Sequence, residues 1–190
     1  MSNSLSLNGA WDLLWAEGRS RRSPEHYTGP TVAGTRMLKA RVPAPIHQVL
    51  IEHGLAGDPN VGLNSLYSRW VEEMFWVYRR TFEAPAEAAE QHAWLSFQCL
   101  ELDAVVWLNG EEVGRHANAN RPARFDVTGK LRAGENLLVV QVESGLHTAA
   151  DQPAGEYGLD QTNISHLTKR PFLRHAIYQH GWDWSPRLLN

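Results

Sequence analysis

The residues best suited to chemistry lie near the end of the chain, in the Gly-Trp-Asp-Trp run at 181–184. A carboxylate between two indoles suits a polar ligand with an apolar face, such as a sugar. The sugar hydroxyls would donate to Asp183, and its C–H face would pack on an aromatic ring. In a second interpretation, Trp182 and Trp184 bury in a sheet core at strand spacing while Asp183 faces water. Because tryptophan is highly buried on average, these residues alone favour the second interpretation.

Length and composition indicate one globular domain spanning residues 1–190. Of its 190 residues, 43% are hydrophobic and 21% are charged, which is enough for a sizeable core. The net charge of −3 provides no basic surface, so we expect neither nucleic acid nor a membrane as a partner.

The start of the chain, residues 1–10, lacks the basic and apolar regions of a signal peptide. No stretch approaches the length of a membrane span. Cys99 is the only cysteine, so no internal disulfide can form. These features predict a cytoplasmic location.

Apolar residues alternate with the period of a half-buried β-strand in three segments. The residues that share a face are Trp76, Tyr78 and Phe82, then Leu95, Phe97 and Cys99, and then Leu138, Val140 and Val142. Between two further strands, Asn109-Gly110 predicts a hairpin, because a type I′ turn needs positive φ at both central residues. Short strands with regular turns predict an all-β fold, an antiparallel β-sandwich.

A short helix and two long loops interrupt the strands. Apolar residues from Ile46 to His53 follow helical spacing, and Gly54 sits where a residue just past a helix end belongs. The segments 56–67 and 145–168 are rich in turn-forming residues and are predicted to be loops. Loops this long in a compact domain tend to be functional or disordered.

The acidic residues give no sign of a catalytic pair. The groupings Glu72-Glu73, Glu111-Glu112 and 87–90 are expected to be solvated surface charges, since adjacent strand residues point to opposite faces. Glu101 and Asp103 are two positions apart and could share a strand face. A solvent-exposed pair in a turn is the favoured interpretation.

Metal, nucleotide and thiol chemistry have no motif in the chain. None of the nine histidines has the spacing of a zinc site, and no phosphate-binding glycine motif is present. His175 and His180 are predicted to lie on opposite faces of a strand. Cys99 is predicted to be a buried, inert thiol. We therefore expect no metal, no cofactor and no catalytic residue in this chain.

A series of motifs along the chain coincides with one family. They are Val42-Pro43 to His47, Asp58-Pro59, Asn64, Trp70, the strand from Trp76 to Phe82, residues 102–110, Gly114, Arg121-Pro122, residues 125–128 and 134–137, Arg174, Tyr178 and residues 181–187. Together they resemble the N-terminal region of β-mannosidases of glycoside hydrolase family 2. The resemblance implies a jelly-roll, galactose-binding-domain-like sandwich. The strand and turn block also fits β-galactosidases and β-glucuronidases, which remain alternative parents.

The resemblance implies a retaining glycosidase acting on a β-mannoside or another glycoside. Its two catalytic glutamates would lie on a (β/α)₈ barrel that follows the jelly roll and an immunoglobulin-like domain. Such a barrel needs about 250 residues, so neither glutamate belongs to this chain. Residues 171–190 would form a C-terminal strand whose Gly-Trp-Asp-Trp segment reaches the barrel mouth. Trp182 would be an apolar wall of the sugar site and Asp183 an acceptor for sugar hydroxyls. Trp184 could equally belong to the core of the sandwich or to the sugar site.

Two alternatives to a hydrolase domain stay open. A free-standing carbohydrate-binding module would hold its ligand on exposed aromatic residues such as Trp70 or Trp94. A non-catalytic homologue is suggested by positions that depart from the family pattern. The departures are Ser185 in place of Gly, His180 in place of Phe, His175 in place of Lys and Ile177 in place of Gln.

Overall fold

A computed structural model describes residues 4–17, 25–29, 32, 37–150, 152, 172–181, 183 and 185–188. In these ranges the strands are β1 (Gly9–Glu17), β2 (Leu38–Val42), β3 (Met74–Ala84), β4 (Trp94–Phe97), β5 (Ala104–Leu108), β6 (Glu111–His116), β7 (Ala123–Asp126) and β8 (Gly134–Val142). The α-helices are α1 (Glu25–Thr28), α2 (Ile46–Glu52), α3 (Asn64–Tyr67), α4 (Ala86–Glu90) and α5 (Leu146–Ala150), and 3₁₀ turns span Arg69–Glu73 and Ile177–His180.

The strands form two antiparallel sheets. The larger has six strands in the order β2-β1-β3-β8-β5-β6, and the smaller pairs β4 with β7. This confirms the prediction of an all-β antiparallel fold. No helix within the described ranges is both long enough and apolar enough to cross a lipid bilayer.

The main core lies between the two sheets. The large sheet contributes Trp11, Val106 and Leu138, and the small sheet packs Phe97 and Phe125 against them. Alternation along the strands places these side chains inward, as the period-2 pattern predicts. Burial of this shared apolar surface is what holds the two sheets face to face.

Two helices cover apolar surface that the small sheet does not reach. On the opposite face of the large sheet, Tyr27 of α1 joins a cluster around Val77 and Val139. Val49 and Leu50 of α2 are buried against Leu13. The predicted helix is confirmed, and Gly54 just beyond it has a φ of +67°.

The predicted hairpin is also confirmed. Asn109 and Gly110 join β5 to β6 with φ angles of 54° and 90°, as a type I′ turn requires.

The prediction for Cys99 is wrong, because β4 ends at Phe97 and the thiol is exposed. The segment 56–67 contains the helical turn α3 and is not loop throughout, and α5 forms the start of the second predicted loop.

The hairpin asparagine belongs to a buried amide network centred on Asn136. The Asn136 Oδ1 accepts hydrogen bonds from the Arg132 N–H and from Asn109 Nδ2, both at 2.9 Å. Its Nδ2 donates to the Arg132 and Gly134 carbonyls at 2.8 and 2.9 Å. Asn109 in turn accepts the Leu137 N–H at 3.0 Å. One buried side chain thus satisfies the backbone groups of the β7–β8 connection.

Replacing Asn136 with leucine should lower the free energy of unfolding by about 3 kcal/mol, because several buried backbone groups lose their partners at once. Urea unfolding of the 190-residue chain measures this change. Asn120→Ala, at an exposed turn, is the matched control and should stay within about 0.5 kcal/mol of the wild type. Equal effects of the two substitutions would contradict the role of the network.

Candidate functional site

The candidate site lies at one end of the large sheet. The register pairs Trp76 near the start of β3 with Val142 at the end of β8, and Ala104 at the start of β5 with His116 at the end of β6. The connections at this end are therefore close together. The C-terminal segment, residues 172–188, contacts several of them.

Asp183 lies on a short turn of this segment. The Leu188 N–H donates to the Gln179 carbonyl at 3.0 Å and closes the base of the turn. Gly181 has a φ of 107°, a conformation that disfavours any side chain. Asp183 is exposed and has a φ of 48°, a left-handed conformation that aspartate tolerates better than most residues. Trp182 and Trp184 lie outside the described residues, so the assigned role of Trp182 stays a prediction.

The beginning of the segment is held by apolar packing and one backbone hydrogen bond. Leu173 is buried against Leu102 and Ala149. It approaches Gly145 so closely that a Cβ there would lie 2.7 Å from its methyl group. The Arg174 carbonyl accepts the Ala119 N–H at 2.8 Å. These contacts fix where the chain enters the turn.

His175 and His180 form a buried pair, which contradicts the prediction that they lie on opposite faces of a strand. Their Nε2 atoms are 2.7 Å apart, and the ring planes are nearly perpendicular, at 88°. The Nδ1 of His175 faces the Glu101 carboxylate at 3.7 Å. The prediction failed because a 3₁₀ turn, and not a strand, follows His175 and brings a residue five positions later back onto it.

A buried ion pair anchors the other side of the turn. Arg187 Nη2 donates to Glu72 Oε2, and both side chains are almost fully buried. The Ser144 hydroxyl donates to the Glu72 carbonyl at 2.6 Å, which fixes the backbone that carries the carboxylate. Glu72 was predicted to be a solvated surface charge. That prediction is wrong, because Glu72 lies in a 3₁₀ turn and faces the C-terminal segment, which covers it.

The electrostatics of this pair follow from its burial. Desolvation raises the pKa of Glu72 above that of an ordinary glutamate, and the charges of Arg187 and Arg69 offset part of the rise. Burial likewise lowers the pKa of Arg187, opposed by Glu72. Because the carboxylate is 4% exposed and bonded to arginine, a substrate has no access to it. Glu72 is therefore an anchor and not a general acid.

The remaining acidic candidates do not form a catalytic pair either. Glu111 bonds Lys130 at 2.9 Å and Glu112 bonds Arg115 at 2.8 Å, and these hydrogen bonds lower the pKa of both exposed carboxyls. They stay ionised and cannot donate a proton near neutral pH. Glu101 and Asp103 lie outside a strand, as favoured, but they are only partly exposed. Each has one buried oxygen without a hydrogen-bond partner.

Metal and thiol chemistry gain no support. Within the described residues, no three His, Cys, Asp or Glu side chains are grouped so as to hold a metal ion. Partial burial and the neighbouring Glu101 charge raise the pKa of the Cys99 thiol. It therefore remains protonated and is a poor nucleophile, even though it is exposed.

The two aromatic residues considered for a free-standing module differ in accessibility. Trp94 is half exposed, but the Arg124 guanidinium lies over its ring, 4.2 Å from the centroid. Trp70 is partly buried between Trp15 and Trp76, with centroids 6.5 and 5.8 Å away. Each ring is thus engaged within the chain. Neither offers a fully open stacking surface for a sugar.

Sequence reasoning missed the residues that position the turn. Arg187 and Tyr178 were noted only as part of the resemblance, although Arg187 is a main anchor and Tyr178 is an exposed aromatic residue on the same turn. An exposed tyrosine five residues before Asp183 in the sequence suits the same ligand chemistry as that carboxylate. Ser185 is exposed and has no positive φ, so a glycine is not needed there.

Removal of the Glu72 carboxylate should strongly destabilise the chain. Glu72→Ala leaves Arg187 buried without its partner and should cost about 3–5 kcal/mol in urea unfolding. The double substitution Glu72→Leu with Arg187→Met removes both charges and should recover most of that loss. The exposed pair between Asp12 and Lys39 is the control, since Asp12→Ala should cost about 1 kcal/mol or less. A double variant no more stable than Glu72→Ala would refute the account.

Comparisons with known proteins agree on one family. The family described as glycosyl hydrolase 2 galactose-binding domain-like matches residues 20–190. β-Mannosidase B of Thermothelomyces thermophilus is 35% identical over 154 residues, which cover 79% of this chain and 18% of that protein. β-Mannosidase B of Aspergillus terreus is 34% identical over 80% of this chain and 18% of its own length.

Solved structures show the same fold. The crystal structure of a β-D-mannosidase from Dictyoglomus thermophilum matches 97% of this chain with a TM-score of 0.75 and 30% identity, over 21% of that protein. A β-glucuronidase from an uncultured Clostridium matches 73% of the chain with a TM-score of 0.51 and 25% identity, over 21% of its length. The chain thus spans about a fifth of the relatives it matches. It belongs to the galactose-binding domain-like family of glycosyl hydrolase family 2, as found in β-mannosidases.

Proposed function

We propose that this chain is the N-terminal domain of a retaining β-mannosidase-like glycosidase. In this role it binds and positions the substrate, and the catalytic carboxylates lie in other domains of the intact enzyme. The alternative parents are a β-glucuronidase, which the weaker structural match favours, and a β-galactosidase. The identity to the β-mannosidases supports the first assignment over both.

The observation that carries the proposal is the presentation of Asp183. An exposed carboxylate on a turn held from both sides suits an acceptor for the hydroxyls of a sugar ring. Because contacts with the sandwich hold described residues on both sides of Asp183, binding costs less entropy than ordering a mobile loop would. A residue that holds the sugar in place contributes to the rate as well as to the affinity, even far from the bond that breaks.

Cleavage requires more than this chain provides. A retaining glycosidase needs two carboxyl groups that flank the scissile bond, about 5 Å apart. The acidic groups described above are paired with basic side chains or partly buried, and Asp183 has the role of an acceptor. We propose that the intact enzyme adds the immunoglobulin-like domain and the (β/α)₈ barrel, and that the barrel carries both catalytic glutamates.

A second feature supports a larger assembly. Four apolar side chains in one short segment are each more than half exposed, and we name them together the 61–67 surface: Val61, Leu63, Leu66 and Tyr67. Clustered exposed apolar residues are typical of surfaces that another protein part covers. We propose that the other domains of the intact enzyme cover the 61–67 surface.

The segment that carries this surface is held in a fixed conformation by polar contacts. Asp58 Oδ1 accepts the Asn60 N–H at 2.9 Å, and Asn64 Nδ2 donates to the Asp58 carbonyl at 3.0 Å. Gly57 packs so closely on Asn64 that a Cβ would lie 2.4 Å from its amide. The apolar side chains are therefore displayed on an ordered scaffold, which suits a permanent contact.

Asp183→Asn in the intact enzyme should reduce kcat/KM for an aryl β-mannoside by about 10- to 100-fold, the value of a hydrogen bond to a charged group. Asparagine tolerates the left-handed backbone of this position, so the fold should remain intact. Steady-state kinetics measure the change, and circular dichroism checks the fold. Asp12→Asn, at the surface ion pair with Lys39, is the control. The purified 190-residue chain itself should show no turnover. Wild-type kinetics in Asp183→Asn, or turnover by the chain alone, would disprove this proposal.

The double substitution Leu66→Ser with Tyr67→Ser should lower the melting temperature of the intact enzyme by several degrees, because two apolar contacts are lost, each worth about 1–3 kcal/mol. The same double variant of the 190-residue chain should melt within about one degree of its wild type, since both side chains are exposed there. Leu5→Ser, at another exposed leucine, is the control. If the intact enzyme is unaffected, the 61–67 surface faces solvent.

A further inference from the structure

We propose that the domain covering the 61–67 surface is the (β/α)₈ barrel itself, so that this surface and the turn that carries Asp183 form one continuous contact face. This assignment rests on the proposed function, in which the barrel carries the catalytic glutamates and meets Asp183 at its mouth. Leu66 and Tyr67 are then positioning residues, because they hold the barrel against the sandwich and do not contact the sugar.

The helix α3, which carries part of the 61–67 surface, is joined to the turn that bears Glu72. The Ser68 N–H and hydroxyl both donate to the Asn64 carbonyl, at 3.0 and 2.9 Å. The Ser68 carbonyl accepts the Val71 N–H at 3.1 Å. Val71 is buried in the core, and its carbonyl accepts the Nε1–H of Trp76 at 3.0 Å. Hydrogen bonds thus connect the base of the surface to the large sheet and to Glu72.

The path from this surface to Asp183 is short. Tyr67 and Glu72 are five residues apart in helical turns, which is no more than about 10 Å at the rise of a 3₁₀ helix. Glu72 bonds Arg187, and Arg187 is four residues from Asp183, at most about 14 Å of extended chain. A barrel of about 250 residues has a radius of gyration of about 18 Å. One barrel can therefore touch Tyr67 and receive Asp183 at the same time.

The small size of the 61–67 surface argues against a separate molecule as its partner. Stable contacts between free proteins involve about 20–30 residues on each side. Four side chains are too few, so the contact must continue onto neighbouring exposed surface. The exposed side chains along the path include Arg69, Ser185 and Asp183. Domains of one chain stay together with smaller contacts, because the linker keeps their effective concentration high.

The residue types along the path suit a contact between domains. Tyr67 is 73% exposed, and Arg69 follows it by two positions and is also exposed. Tyrosine and arginine are enriched at protein contacts, where they often supply much of the binding energy. The part of the barrel that fits this chemistry is an apolar patch with a hydrogen-bond acceptor beside it for the Arg69 guanidinium.

This contact bears on the reaction through Asp183. The surface, Glu72 and Arg187 are linked, so contact between Tyr67 and the barrel fixes the distance between Asp183 and the catalytic glutamates. Without the contact the sandwich can tilt against the barrel. A misplacement of about 1 Å can cost as much as about 100-fold in rate, even when its cause is far from the bond that breaks.

The first test identifies the partner of Tyr67. In the intact enzyme Tyr67 is replaced by the photoreactive residue p-benzoylphenylalanine, and mass spectrometry identifies the peptide to which it attaches on irradiation. We expect a peptide of the barrel in the same molecule. The same replacement at Leu63 should attach to the same region. A peptide of the immunoglobulin-like domain, attachment to a second copy of the enzyme, or no attachment at either position would overturn the inference.

The matched control places the photoreactive residue at Leu5. Leu5 and Leu63 are equally exposed, at 58% and 57%. Leu5 precedes β1, and the register pairs Glu17, at the other end of β1, with Met74 at the start of β3. Leu5 therefore lies toward the opposite end of the large sheet. Attachment of Leu5 to the same barrel peptide as Tyr67 would contradict the inference.

The second test asks whether the contact acts through Asp183. In the intact enzyme, well below its melting temperature, Leu66→Ser with Tyr67→Ser should lower kcat/KM for an aryl β-mannoside by about 3- to 10-fold. In an enzyme that already carries Asp183→Asn, the same double substitution should have much less effect, because the charged acceptor that it positions is absent. Leu5→Ser should keep wild-type kinetics. Equal effects of the double substitution in the two backgrounds would contradict the positioning role, since a merely structural effect is additive.

The outcomes separate this inference from the proposed function. If Asp183→Asn alone has wild-type kinetics, the proposed function fails, and the attachment site of Tyr67 still decides which domain covers the 61–67 surface. If Asp183→Asn loses activity and Tyr67 attaches outside the barrel, this inference alone fails.

Discussion

The buried ion pair between Glu72 and Arg187 is the constraint on which the position of the candidate site depends. A turn of ten residues closed by a few backbone hydrogen bonds has no stability of its own, because ordering it costs more entropy than those bonds return. A buried arginine without a partner would be costlier still. The C-terminal segment therefore docks where the carboxylate of Glu72 can accept from Arg187. This requirement places Asp183 at the end of the sandwich.

Much of the fold was predictable because it follows from local rules. Alternating apolar residues identified β3 and β8, since a half-buried strand repeats every two residues. Asn109-Gly110 identified the hairpin, because few other pairs adopt two positive φ angles easily. Helical spacing and Gly54 identified α2. Each signal lies within a stretch short enough for one element, so no knowledge of the rest of the chain was needed.

The anchors of the site could not be predicted in this way. Glu72 and Arg187 are 115 residues apart, and nothing local distinguishes Glu72 from the exposed glutamates. His175 and His180 were predicted to lie on opposite faces of a strand, whereas the chain forms a 3₁₀ turn there. Such turns carry no strong periodicity. The role of Asp183 was predicted from residue types and from a family resemblance, and it remains a proposal.

The exposure of Asp183 is consistent with a site that two domains share. In the chain by itself the carboxylate is hydrated, so it needs no buried partner and costs the domain no stability. In the proposed assembly, a second domain that covers the turn would displace water, and the same charge would then interact more strongly with sugar hydroxyls. This stronger interaction requires a turn that is held in place before the sugar binds, because a mobile carboxylate would rehydrate instead of binding. The proposed role of Asp183 requires such a fixed turn, and the Glu72–Arg187 ion pair on one side and the His175–His180 contact on the other hold it in place.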